Sequence, residues 1–225
     1  KSLDLDQSKR NFLNIANTYE KNEFFFEASE YLKKYPNFNE DEEVILKYCK
    51  NQFKYNSNNF LKVRKLLERI LIKDKKNCEV LFALANSLVL IGKPDQAIQY
   101  FLEVIKLDQK FEKFAGHAYC QLSRLNFNMD TEDLSSLDQK FTEINDVHNK
   151  IALGNAISNF NFKIKDFLNS SKFLKLSNKL ARRFIIKNTN WSIKEEEILF
   201  KNYKNIYKSI KKNSSKIKNN KSSPI

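Results

Sequence analysis

The stretch from Cys78 to Lys110 constrains the fold more than any other part of the chain. It reads CEVLFALANSLVLIGKPDQAIQYFLEVIKLDQK. Leu81, Leu84 and Leu88 recur at the spacing of one helical face, and Ile98, Phe101, Val104, Ile105 and Leu107 repeat that pattern after a break. Gly92 stands where the first helix must stop, because a residue without Cβ enters the left-handed cap at little cost. Pro94 follows at a first-turn position that needs no amide donor. Ala85 and Ala97, twelve residues apart, are small enough for two antiparallel helices to approach closely. The stretch is therefore expected to form two one-sided helices joined by a tight turn, and each leaves an apolar face that a neighbour has to cover.

Composition extends the helical reading to the whole chain. Three glycines and three prolines in 225 residues cannot supply the turns of a many-stranded sandwich or barrel. Cys49, Cys78 and Cys120 lie far apart with no paired spacing, so they read as buried thiols in a reducing compartment, and a cytoplasmic location is expected. The longest apolar run, Val80 to Ile91, is interrupted by Asn86 and Ser87 and is too short for a membrane span. The chain begins at Lys1 without a signal peptide and reads as a segment of a longer protein. Its net charge is +13, with twelve Lys and Arg against three Glu between Arg182 and Lys221. The same chain is rich in Lys, Asn, Ile and Phe throughout, the bias of an AT-rich coding sequence, and nucleic acid is not expected as a partner.

The pair resembles a tetratricopeptide repeat (TPR), with large residues at Leu81 and Leu84, small ones at Ala85 and Ala97, then Leu88, Gly92, Phe101 and Val104; Gln109 replaces the closing proline. Variants of the unit fill residues 8–182 in five steps, approximately 9–40, 41–76, 77–110, 111–146 and 147–182. In the first, after a lead-in to Gln7, Phe12, Ile15, Ala16 and Tyr19 take the first-helix positions, Ala28 and Leu32 follow in the second helix, and Pro36 stops it before a polar link, Asn37 to Glu40. In the second, which opens at Asp41, Leu46, Cys49 and Phe53 precede Val63, Leu67 and Ile70. That register sets Lys50 at the place of Ala85. In the fourth, Glu112 to Gly116 are expected to lengthen a first helix carrying Tyr119, Leu122, Ser123 and Leu125, with Asp130 or Thr131 capping a return helix of Leu134, Leu137, Phe141 and Ile144. The fifth has Ile151, Leu153, Gly154 and Ile157, a loop through Asn159 to Asn161, and a long helix marked by Phe167, Phe173, Leu174, Leu176 and Leu180. A final helix over 191–211 and a basic linker over 212–225 complete the chain. The fold class expected is all-α, a right-handed superhelical solenoid of TPR-like helix pairs.

In such a solenoid the first helices line the concave side. The register places Leu13 and Asn17, Lys47 and Asn51, Phe82 and Asn86, and Cys120 and Arg124 there. The candidate groove for a protein or peptide ligand is therefore Asn17, Lys47, Asn51, Phe82, Asn86 and Arg124. Lys47 with Asn51 resembles the pair with which some repeat proteins clamp a peptide's terminal carboxylate. His117 and His148, the only histidines, have no partner at a readable spacing, and Asp41–Glu43 and Glu195–Glu197 read as helix starts serving the dipole. No catalytic, cofactor-binding or metal-binding residue is assigned.

From Cys78 onward the order of short motifs resembles the N-terminal region of bacterial TPR sulfotransferases. The motifs are Ser123-Arg124-Leu125, the acidic Asp130 to Asp133, Ala152-Leu153-Gly154-Asn155-Ala156, Asn178-Lys179-Leu180-Ala181-Arg182, Trp191-Ser192-Ile193 and Ser223-Pro224-Ile225. The resemblance implies a C-terminal sulfotransferase domain after Ile225, with 3′-phosphoadenosine-5′-phosphosulfate (PAPS) as its sulfuryl donor and a non-catalytic repeat region that positions or selects the acceptor. The alternative is a free-standing TPR adaptor.

Overall fold

The computed structural model describes residues 2–55, 59–125 and 127–188. Ten helices run through them: α1 (Ser2–Lys21), α2 (Phe25–Leu32), α3 (Glu42–Lys54), α4 (Phe60–Lys73), α5 (Cys78–Leu90), α6 (Pro94–Leu107), α7 (Ala115–Arg124), α8 (Thr131–Glu143), α9 (Val147–Lys163) and α10 (Phe167–Asn188). There is no strand among the described residues. The chain divides into two units, Lys1–Ser177 and Asn178–Ile225. Of the second unit only residues 178–188, the last turns of α10, are described, so the expected helix over 191–211 and the linker over 212–225 lie outside the described residues.

Within the first unit, packing runs from each helix to the next, from α1 through α7, and again from α8 to α9. This is an all-helical TPR-like solenoid of antiparallel pairs, with first helices also touching across pairs, α3 on α5 and α7 on α9. The α5/α6 pair forms as its spacing predicts. Leu81, Leu84, Ala85, Leu88, Ala97, Phe101 and Val104 are all buried, Gly92 adopts φ +75° in open space, and Pro94 opens α6. Ala16, Ala28 and Leu32 fill the same places between α1 and α2. Asp41, Asn77, Asp130 and Asp146 each cap a helix by accepting a backbone N–H from three residues on, worth about 1 kcal/mol apiece.

Elsewhere the structure corrects the expectation. The lead-in before Ser8 belongs to α1, which starts at Ser2. The link after Pro36 is not wholly polar: Phe38 is buried, its ring edge-on to Tyr48 at 5.2 Å. In α3 the buried stripe is Ile45, Tyr48, Cys49 and Gln52, which repeats the spacing of Leu81, Leu84, Ala85 and Leu88. The register is thus one residue earlier than expected. Cys49, not Lys50, occupies the close crossing, and Lys50 turns outward to pair with Glu79 of α5. Burying an ammonium at the crossing would cost far more than burying a thiol.

Residues 108–114 are a loop, not an extension of α7, because a carboxylate organises them. Asp108 Oδ1 accepts from the backbone N–H of Glu112 at 3.0 Å, and Oδ2 from those of Lys113, Phe114 and Ala115 at 3.0, 2.7 and 2.9 Å. The donors of the loop and of the helix start it leads into need an acceptor, and one side chain supplies it for all four. In the last pair α9 runs through Asn159–Asn161 to Lys163. Of the residues expected to mark the inner side of α10, Phe173 is buried, whereas Phe167, Leu174 and Leu176 are exposed. Ser170 and Ser177 share the buried line with Phe173.

Candidate functional site

The expected groove residues separate into two places. At one end, Glu20 of α1 gathers two of them: Lys47 Nζ donates to its Oε2 at 2.8 Å and Asn51 Nδ2 to its Oε1 at 2.7 Å. Asn51 is only 1% exposed. These two groups are therefore engaged in holding α1 to α3. The register of α3 sets them there, since the residues equivalent to Phe82 and Asn86 are Leu46 and Lys50. Asn17 lies exposed on α1, beside Asn14, Thr18, Glu20 and Lys21.

The other place is built by three first helices. A cavity of about 260 Å³ is lined by Phe82 from α5, His117, Cys120, Gln121 and Arg124 from α7, and His148, Ile151, Ala152 and Asn155 from α9. Phe82 and Arg124 come together here. Asn86 reaches the rim, its Oδ1 accepting from Gln121 Nε2 at 3.2 Å. Phe82 is held by rings on three sides, stacked on Phe114 at 5.3 Å, tilted to Phe101 at 5.7 Å and edge-on to His117 at 6.2 Å.

The close fit of α7 on α9 sets these side chains in place. Gly116 lies against the backbone of Asn149, where a Cβ would come within 2.3 Å of the carbonyl oxygen. The Asn149 side chain is buried and bonds both ways: Oδ1 accepts from Gly116 N–H at 3.1 Å and Nδ2 donates to the Lys113 carbonyl at 2.8 Å. At the other end of the contact Asn159 Nδ2 donates to Ser123 Oγ at 3.1 Å. His117 and His148, each one residue from this contact, face the same cavity as a result.

Ile151 and Asn155 are site residues that the sequence reading left out. With Gly154 standing for Ala85, they hold the places of Phe82 and Asn86 in the fifth unit. Gly154 was already identified as part of that unit, so the signal was present.

Among the described residues the lining of this cavity holds one arginine, two histidines and no carboxylate. Arg124 is exposed and makes no ion pair with any described residue. The His117 imidazole is pushed below its ordinary range, first by burial and then by the neighbouring His148, against a smaller opposing pull from Asp146. Burial raises the Cys120 thiol, partly offset by Arg124. Among the described residues no group of three His, Cys, Asp or Glu could hold a metal ion, and no helix is long and apolar enough to cross a membrane.

No family model matches the chain, and no curated protein matches it. Among solved structures it is similar to several of MamA, a TPR-like helical protein. One, "MamA MSR-1 C2", is 18% identical with a TM-score of 0.44 and covers 76% of this chain and 95% of that one. A second, "Crystal structure of MamA", is 15% identical with a TM-score of 0.47, covering 75% and 95%. A third, "Crystal structure of MamA protein", is 13% identical with a TM-score of 0.47, covering 83% and 99%. The assignment of the fold rests on the helix pairs and their packing.

Proposed function

We propose that this chain is a protein-binding module that takes an extended segment of a partner across the face made by α5, α7 and α9. The observation that supports it is the convergence of Phe82, Arg124, Ile151 and Asn155, at equivalent places of three successive units, on one open cavity. A pocketed face with an aromatic anchor and a few directed polar groups is the kind of surface that holds a peptide. Selection of a random twelve-residue display library on the purified chain tests this. Binding of the selected peptides should weaken at least tenfold in Phe82→Ala, and affinity independent of Phe82 would refute the reading.

Within that function we place the module, in the cytoplasm, beside a sulfotransferase domain as its partner in the same protein, where it positions or selects the acceptor for sulfuryl transfer from PAPS. What supports this finer reading is the order of short motifs from Ser123-Arg124-Leu125 to Ser223-Pro224-Ile225. Sulfuryl transfer measured with the full gene product and with this chain alone decides it. Activity in the first and none in the second is expected; no activity and no donor binding in either would make the chain an adaptor.

A further inference from the structure

We propose that the turn between α9 and α10 is a contact surface for a second copy of this chain, joined to the first about a two-fold axis. This surface is distinct from the binding face on α5, α7 and α9 and goes beyond that function. Phe162, Ile164, Phe167 and Leu168 fall within seven residues of sequence, and all are exposed, by 64%, 44%, 59% and 82%. The Phe162 and Phe167 rings meet edge-on at 5.5 Å and still face water over most of their area. Leu174 follows Phe167 by seven residues, on the same side of α10, and is exposed as well. Single exposed apolar side chains are ordinary on a protein surface, whereas a cluster of this kind marks an interaction site.

The surface is held in place before any partner arrives. Lys163 Nζ donates to the carbonyls of Leu125 and Phe127 at 2.7 and 3.1 Å, which ties this turn to the one before α8. Asp166 secures the start of α10 by accepting from the backbone N–H and the side-chain amide of Asn169 at 3.1 and 2.7 Å. Ser158 Oγ of α9 donates to the Ser170 carbonyl of α10 at 2.9 Å. Groups fixed in this way lose little freedom on association.

Area and charge both fit a second copy. At about 150–250 Å² for a large side chain, the exposed fractions of these five residues leave roughly 500 Å² of apolar surface. A stable contact buries about 800 Å² on each partner, rather more than half of it apolar, so this cluster supplies the apolar share of one side. Around it both signs of charge occur. Lys165 and Lys175 are exposed beside the cluster, and Glu132 and Asp133 are exposed where α8 opens, next to the tied turn; Lys172 lies near Asp138 of α8. A two-fold contact turns the same residues towards each other, and a surface with both signs is suited to pair with itself. An anionic bilayer, the partner that an apolar turn with lysines otherwise brings to mind, would be opposed by the two acids.

Sedimentation equilibrium of the full chain at about 1–100 μM, the weak end of the affinities found for contacts of this size, tests the proposal. The mass is expected to rise from 26.6 kDa to twice that value and to stop there. Leu168→Asp, at a position open to solvent, should weaken the dimer at least tenfold and leave the far-ultraviolet spectrum unchanged. Ile72→Asp, which places the same charge at an exposed apolar residue of α4, should leave the dimer intact. A mass of 26.6 kDa throughout, growth beyond the dimer, or a dimer that survives Leu168→Asp or is lost equally in Ile72→Asp overturns the proposal. A monomer that co-sediments with phosphatidylglycerol vesicles, and ceases to do so in Leu168→Asp, overturns it in favour of a lipid surface.

Discussion

Asn51 of α3 donates its side-chain amide to the Glu20 carboxylate of α1 across 2.7 Å, at a site where Asn51 is buried and Lys47 reaches the same carboxylate. The three groups bind the first pair of helices to the second. Lys9 of α1 adds ion pairs to Asp41 and Glu43 at 3.0 and 2.8 Å, with Lys9 and Asp41 half-buried and Glu43 exposed, and pairs that stay open to solvent contribute little.

Glu20→Ala should therefore lower stability by about 1–3 kcal/mol, because it strands a buried amide without an acceptor. Denaturant unfolding of the variant checks this. Lys9→Ala should change the midpoint much less.

Gly116→Ala should destabilise by about 1–3 kcal/mol, the cost of overpacking a tight contact. The Cβ would meet the Asn149 carbonyl oxygen at 2.3 Å, and backbone cannot move aside as a flexible side chain can. Gly92→Ala is the control: it meets nothing, and only its φ of +75° opposes the change, at about 1–2 kcal/mol. Thermal melts of both variants, with binding of the selected peptides, separate a packing fault from a turn fault; only Gly116→Ala should also weaken binding, since it moves His117 and His148.

How far the sequence disclosed this follows from which interactions are local. The α5/α6 pair was legible because its apolar spacing, glycine stop and proline start all point to one answer. The register of α3 was not, because Leu46–Cys49–Phe53 and Ile45–Tyr48–Cys49 both read as helical stripes, and only the crossing with its neighbour selects the second. The register of α5 and α7 brings Phe82 and Arg124 to one cavity, while the earlier register of α3 sets Lys47 and Asn51 against Glu20. The pairing of His117 with His148 depends on α7 packing across α8 onto α9, which no spacing within one repeat displays.

Asp108 acts within its own loop, and Asp108→Ala should remove the acceptor for four backbone donors. Hydrogen exchange at the amides of Lys113, Phe114 and Ala115 should accelerate strongly. Asp108→Asn, which keeps one carbonyl oxygen, should retain part of the protection.

Burial raises the Cys49 thiol to about 12 from an ordinary 9.0, and the Tyr48 phenol to about 12 from 10.0, the latter with smaller contributions from Cys49, Tyr55 and Glu30. In the unfolded chain both ionise earlier, so the folded state holds more protons between those values. Their stabilising contribution is present in full below about pH 9 and declines towards pH 12, by at most about 1.4 kcal/mol per pH unit for each group. Unfolding free energies measured from pH 8 to 11 should fall accordingly, and Cys49→Ala should flatten part of that fall.

The most direct test of the binding face is a map of where a selected peptide touches the chain. Amide shifts recorded during titration with that peptide should concentrate on α5, α7 and α9, around Phe82, Arg124 and Asn155. Shifts confined to the second helices α4, α6 and α8 would contradict the account.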